Sequence, residues 1–97
     1  MNVKQTLNNR ASSYGSFEDN AKITQGLIEI LQSAPNYYRL GQIHKESVHM
    51  ICHKLARMVC GDVNYSDNPR DIAGYATLLM EYLEKKEKES EDQKKNQ

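Results

Sequence analysis

HKESVHMICHKLARMVCG, residues 44–61, is the stretch on which the fold of this chain turns. Taken with the residues just before it, it places Leu40, Ile43, Ser47, Met50 and Ile51, Leu55, and Met58 and Val59 at steps of three and four. That is the period of one face of an α-helix. Gly61 stands where the left-handed residue that stops a helix is expected. The spacing predicts one long amphipathic helix from about Leu40 to Cys60, and a helix with one apolar face needs other elements to cover it.

The flanking sequence supplies them. Downstream, GDVNYSDN (residues 61–68) is polar and turn-rich, and Pro69 suits the first turn of a further helix, where its missing N–H is no loss. Ile72, Ala76, Leu79 and Leu83 then recur as an inward stripe. Upstream, a short helix over residues 1–14 carries Val3, Leu7 and Ala11 on one side and ends at Tyr14-Gly15. Ser16 follows as an N-cap, with Asp19 three residues on. The second helix carries Phe17, Ala21 or Asn20, Ile23, Leu27, and Ile30 or Leu31 inward, and stops before Pro35. No segment alternates with period two. The expected fold is all-α, a small bundle of about four helices forming one domain over residues 1–83. The remainder, EKKEKESEDQKKNQ (84–97), has no apolar residue; its first turns extend the last helix and the rest is expected to fray.

Composition narrows the function classes. The chain has 97 residues, with 13 basic and 13 acidic side chains and no formal net charge. A chain this short buries only about 60–65% of its unfolded surface, so its core is small or shared, and a homo-oligomer is expected. Without an excess of Lys and Arg it is not a general nucleic-acid binder. No apolar run reaches the roughly 18–20 residues of a membrane span, and the polar N-terminus has no signal-peptide core. Cys52 and Cys60, eight apart on one helix, would have Cα atoms about 12 Å apart, too far for a disulfide. Reduced thiols and a cytoplasmic location are the expectation.

Three sets of residues could carry chemistry. On the long helix Glu46, His49, His53 and Arg57 lie at i, i+3, i+7 and i+11, near one face. Glu46 and His49, completed by Asp71 or Asp67, could ligate a divalent metal; the same histidines also suit an ordinary helix surface. Lys54 and Arg57 either interact with the C-terminal end of the helix dipole or clamp phosphates. Asp71 reads as the N3 partner of an Asn68 cap, or as a metal carboxylate. Gly74, costly inside a helix, implies close helix packing or room for a ligand, and Tyr75 could stack on a base or pack across the bundle. Arg10, Tyr14 and Gly15, an R-x-x-x-Y-G run, could touch phosphate and base or fasten the first helix. There is no phosphate-binding loop, dinucleotide fingerprint or Cys-x-x-Cys pair.

The order Arg10-Tyr14-Gly15, a capped helix, Lys54-Leu55-Ala56-Arg57, and Asp71-Ile72-Ala73-Gly74-Tyr75-Ala76 resembles a small phage- and prophage-encoded family of unknown function. The resemblance spans roughly residues 5–83, and D-I-A-G-Y-A is its most specific element. That family is in turn similar, more distantly, to the MazG-like all-α nucleoside triphosphate pyrophosphohydrolases. These hold Mg²⁺ with Glu-x-x-Glu on one helix and Glu-x-x-Asp on the next. Here the matching positions are Glu46-x-x-His49 and Asn68-x-x-Asp71, so two of the four carboxylates are replaced. Imidazole serves Mg²⁺ poorly.

What the resemblance implies is therefore a nucleotide-shaped groove more than a reaction. The leading expectation is an accessory protein without catalysis, which binds a host protein or sequesters a nucleotide through Lys54, Arg57, Tyr75, Arg10 and Tyr14. One alternative is a weak Mg²⁺- or Mn²⁺-dependent pyrophosphohydrolase using Glu46, His49 and Asp71; another is a structural oligomer with no small ligand.

Overall fold

Asn2 opens the first helix with a reciprocal cap: its side chain accepts from the Gln5 amide at 2.9 Å, while the Gln5 side chain accepts from the Asn2 amide at 3.3 Å. From there the computed structural model, which describes residues 2–95, is an all-α bundle. Its elements among the described residues are α1 (Val3–Tyr14), α2 (Phe17–Gln32), a single 3₁₀ turn (Tyr37–Arg39), α3 (Gln42–Cys60) and α4 (Asp67–Lys95). The Ser16 side chain accepts from the Asp19 amide at 3.1 Å and starts α2, as expected from sequence.

α3 is the central helix. It packs against α2 on one side and α4 on the other, and α1 reaches it only near its end. Ser47 fastens α3 to α4 by donating its hydroxyl to the Tyr75 carbonyl at 2.9 Å. The closest meeting point lies between the ends of α1 and α3. Gly15 has φ 83°, and a Cβ there would lie 2.6 Å from the Cys60 carbonyl carbon. A Cβ on Gly61 would lie 2.5 Å from the Tyr14 carbonyl carbon, and the Asp62 amide donates to the Ser13 carbonyl at 3.0 Å. Both glycines end helices, as expected. Gly61, however, is extended at φ −116°, and its lack of a side chain serves the contact rather than the turn.

The buried set differs from the apolar stripes. Among the described residues the buried apolar side chains are Ile28, Cys52 and Ala56, joined by Asn20, Thr24, Ser47 and Asn68. On α2 the inward line is Asn20, Thr24 and Ile28, whereas Phe17 and Ile30 are 86% and 69% exposed. On α1, Val3 and Leu7 are exposed; on α3, Ile43, Leu55 and Val59 are too. Small and polar side chains let the helices approach, and larger ones line the flanks. Ser47 is inward as expected. Gly74 faces open space, not a packed neighbour.

Asn68 does not cap α4. The helix opens two residues earlier, at Asp67, with the Ser66 carbonyl accepting from the Arg70 amide at 3.2 Å, and Asn68 is fully buried inside its first turn. Pro69 sits in that turn as expected. The charged stretch from Glu84 does not fray where expected: α4 runs helically through it to Lys95, and residues 96–97 lie outside the described residues. Glu81 and Lys85, and Glu84 and Lys88, have the i,i+4 spacing that favours such a helix, and Lys86 lies over the Tyr82 ring at 5.4 Å. Cys52 and Cys60 are both free thiols, and no helix among the described residues is long and apolar enough to cross a membrane.

Candidate functional site

The end of α1, the start of α2 and the last turns of α3 enclose a groove of about 370 Å³. That is within the range of small-ligand sites. Tyr14 forms one wall, and the Arg57 guanidinium stacks over its ring at 4.4 Å. Arg10 and His53 complete the polar lining, Leu7, Ala11 and Phe17 the apolar one, and no carboxylate lines the groove. Neither Arg10 nor Arg57 has a carboxylate within ion-pair distance among the described residues. No ion pair among the described residues holds either guanidinium, although Asp71, paired with Lys54, still feels the charge of Arg57 from beyond the groove.

The walls are fixed from outside. The Asn20 amide donates to the Tyr14 carbonyl at 2.7 Å and to the Ser16 carbonyl at 2.8 Å, which ties the α1–α2 junction together. Tyr65 leans on Tyr14 with ring centroids 5.5 Å apart. Hydrogen bonding to Asp67, and then to Tyr14, holds the proton on Tyr65 and pushes its pKa up to about 12. Asp67 also accepts from Arg70 at 2.6 Å, so the brace extends from the loop into α4. The ring that would meet a ligand is thus supported on its far side.

His53 feels burial first, then Arg57 and Lys54, and all three lower its pKa below the ordinary imidazole value. The unfolded chain therefore takes up a proton before the folded one does. Stability is fully present above the ordinary value of about 6.5 and falls as pH drops below it. Melting temperatures followed from pH 7.5 down to 5.5 should show that decline in the native chain and a flatter profile in His53→Gln. Equal slopes would mean that His53 does not report on the groove.

The expected site residues divide. Arg10, Tyr14 and Arg57 come together in the groove. Lys54 does not join them: its ammonium pairs with Asp71 at 2.9 Å, and that hydrogen bond leads the causes that hold the Asp71 carboxyl below its usual range. Tyr75 lies in a separate recess between α3 and α4 with Glu46 and Ser47.

The expected metal set, Glu46, His49 and Asp71, is not assembled. His49 Nε2 is hydrogen-bonded to the Tyr37 hydroxyl at 2.8 Å, Asp71 is held by Lys54, and Glu46 is exposed. Asp67, the other acidic residue considered, is engaged with Arg70 and Tyr65. Among the described residues no three His, Cys, Asp or Glu side chains gather. No ligand set for Mg²⁺ or Mn²⁺ is assigned.

Sequence reading missed His53, Asn20 and Phe17 as parts of the groove. The spacing did place His53 on the Arg57 face, but as a candidate metal ligand beside Glu46 and His49 and not as a groove residue. No local signal marks Asn20 and Phe17, because they reach the groove only through the turn at Gly15. No protein-family model, curated protein or solved structure matches this chain.

Proposed function

We propose that this protein is a binding protein without catalysis that sequesters a nucleotide in the α1–α2–α3 groove. The observation that carries the reading is the joint presence of Arg10, Arg57, His53 and the Tyr14 ring in one groove without a carboxylate. Guanidinium groups take phosphate through paired N–H donors, and the Tyr14 ring, stacked against Arg57, holds that fork at the groove wall. Two guanidinium groups without an ion-paired carboxylate favour an anion over a neutral ligand. Neutral His53 adds a hydrogen-bonding ring that a bound phosphate would help to protonate, so binding strengthens as pH falls.

The reading also accounts for the two replaced carboxylates of the MazG-like resemblance. His49 and Asn68 stand at those positions, one tied to Tyr37 and the other fully buried. The groove lies instead on the α1 side of α3, where phosphate contacts need no metal bridge. Arg10, Tyr14 and Arg57 are the binding residues of this proposal. Lys54 is taken up by Asp71, and Tyr75 lies outside the groove.

A thermal-shift series against nucleoside mono-, di- and triphosphates and cyclic nucleotides, with and without Mg²⁺ or Mn²⁺, tests it. At a nucleotide concentration one-hundredfold above its dissociation constant, stabilisation should reach about 2.7 kcal/mol and need no metal. Arg57→Ala should abolish the shift, and Arg57→Lys should keep only part of it, because an ammonium lacks the planar fork. No shift with any nucleotide would overturn the proposal. Metal-dependent release of pyrophosphate would replace it with the hydrolase reading.

A further inference from the structure

The end of α4 stands clear of the rest of the molecule. The chain measures 60 × 30 × 24 Å, and its radius of gyration is 17.4 Å, against about 12–13 Å for a globular domain of this length. Leu83 is the last half-buried side chain of α4; from Glu84 to Lys95 every residue is exposed. That stretch is about 18 Å of helix at the usual rise per residue.

Most helical stability in proteins comes from packing an amphipathic face, and residues 84–95 have no apolar side chain to pack. What holds them is local. The packed turns up to Leu83 serve as the nucleus, so each further residue adds a hydrogen bond without the cost of starting a helix. The stretch has no glycine or proline, and Glu, Lys and Gln are good helix formers. Lys85 stands four residues from both Glu81 and Glu89, and Lys88 four residues from both Glu84 and Asp92. Opposite charges at that spacing stabilise a helix, and only Glu87 and Glu91 repel at it. Lys94 and Lys95 occupy the last turn, where the helix dipole favours positive charge.

We infer that residues 84–95 form a self-supporting arm, a helix held by its own charge spacing and not by the bundle, rigid at low ionic strength and loosened as salt rises. Salt reaches it because every one of its charges is in water. Side chains at i,i+4 stand about 5–6 Å apart at their Cβ atoms, well inside the screening length of about 30 Å at 0.01 M salt and beyond that of about 3 Å at 1 M. The bundle responds differently. Its helices meet through packing, and its inter-helix ion pair uses a Lys54 side chain that is only 12% exposed. At low salt the arm is a spacer of fixed length; at high salt it becomes flexible while the bundle stays folded. This holds whether or not the α1–α2–α3 groove takes a nucleotide.

Backbone chemical shifts and amide exchange of the full chain, at about 0.01 M and about 1 M NaCl, test this. At low salt residues 84–92 should have helical Cα shifts, while their amides exchange about tenfold or more faster than those of α3. At high salt the helical shifts of the arm should fall by about half and those of α3 should not change. Lys85→Glu/Lys88→Glu makes all four of those pairs repulsive. It should lose about half or more of the arm's helical shift at low salt and leave the melting temperature of the bundle unchanged. Lys85→Arg/Lys88→Arg should keep the shift. Coil shifts over residues 84–92 at low salt, exchange there as slow as in α3, helicity indifferent to salt, or a Lys85→Glu/Lys88→Glu arm as helical as the native one would overturn the inference.

Discussion

Alanine at Gly15 lowers the melting temperature by about 15 °C or more and at Gly61 by a smaller amount, while alanine at Gly74 does not. At Gly15 two costs add. The backbone sits at φ 83°, where a side chain costs about 1–2 kcal/mol against the carbonyl. The new Cβ also meets the Cys60 main chain, which is the end of a packed helix and cannot swing aside like a flexible side chain. Forcing an extra carbon into packed structure costs about 1–3 kcal/mol more. Gly61 meets the same wall from the other side, against Ser13 and Tyr14. A Cβ at Gly74 meets nothing within 4 Å. Thermal unfolding followed at 222 nm separates the three substitutions. If Gly15→Ala melts within a few degrees of the parent, α1 is not docked on α3 by this contact, and the groove it encloses loses its wall.

The second large effect is expected at Asn68. Neither polar atom of its buried side chain has a hydrogen-bond partner, yet the side chain is fully enclosed. Asn68→Asp puts a carboxylate where water does not reach. An unpaired buried charge is so unfavourable that the group neutralises instead, and the folded-state pKa rises above its unfolded value. The penalty is absent below the unfolded value of about 3.9 and grows as pH rises above it. Asn68→Asp should therefore melt close to the parent at pH 4 and roughly 10–25 °C below it at pH 7, a loss of about 2–4 kcal/mol. A variant as stable as the parent at pH 7, and further stabilised by Mn²⁺, would mean that position 68 opens onto a metal site after all.

Both effects come from residues whose importance has no local signature. The helix of residues 44–61, the stop at Gly15, the Ser16 cap and the place of Pro69 were all legible, because each depends on neighbours within one or two turns. Which side of each helix faces inward was less so. Phe17, Ile23, Leu27, and Ile30 or Leu31 were expected inward on α2, but the buried side chains there are Asn20, Thr24 and Ile28. An apolar stripe shows which residues favour burial, but how closely two helices can approach decides which side chains are buried. The exposed Leu55, Val59 and Met80 make the same point on α3 and α4.

The site was legible in its residue types and not in its grouping. Arg10, Tyr14 and Arg57 stood out as phosphate and base contacts, and they meet. Lys54 stood beside them in sequence, three residues from Arg57, yet turns to the other flank of α3 and pairs with Asp71. Glu46 and His49 share a helix face, but the 3₁₀ turn brings Tyr37 to His49 and takes up the imidazole. A one-dimensional spacing specifies direction around one helix; it carries no information on what the next helix places opposite.

By itself, then, the sequence determined that this chain is helical, roughly where each helix starts and stops, and which side chains could hold an anion. These follow from capping, turn chemistry and a 3.6-residue period, all of which act over a few residues. Only the tertiary structure decided that Gly15 and Gly61 meet, that Asn68 is enclosed, and that Arg10, Tyr14, His53 and Arg57 line one groove while Lys54 and Asp71 neutralise each other. Those outcomes depend on how closely two helices can approach. That is set by the smallest side chains at their crossing, Gly15, Ala56 and Gly61, and not by the apolar pattern that drives them together.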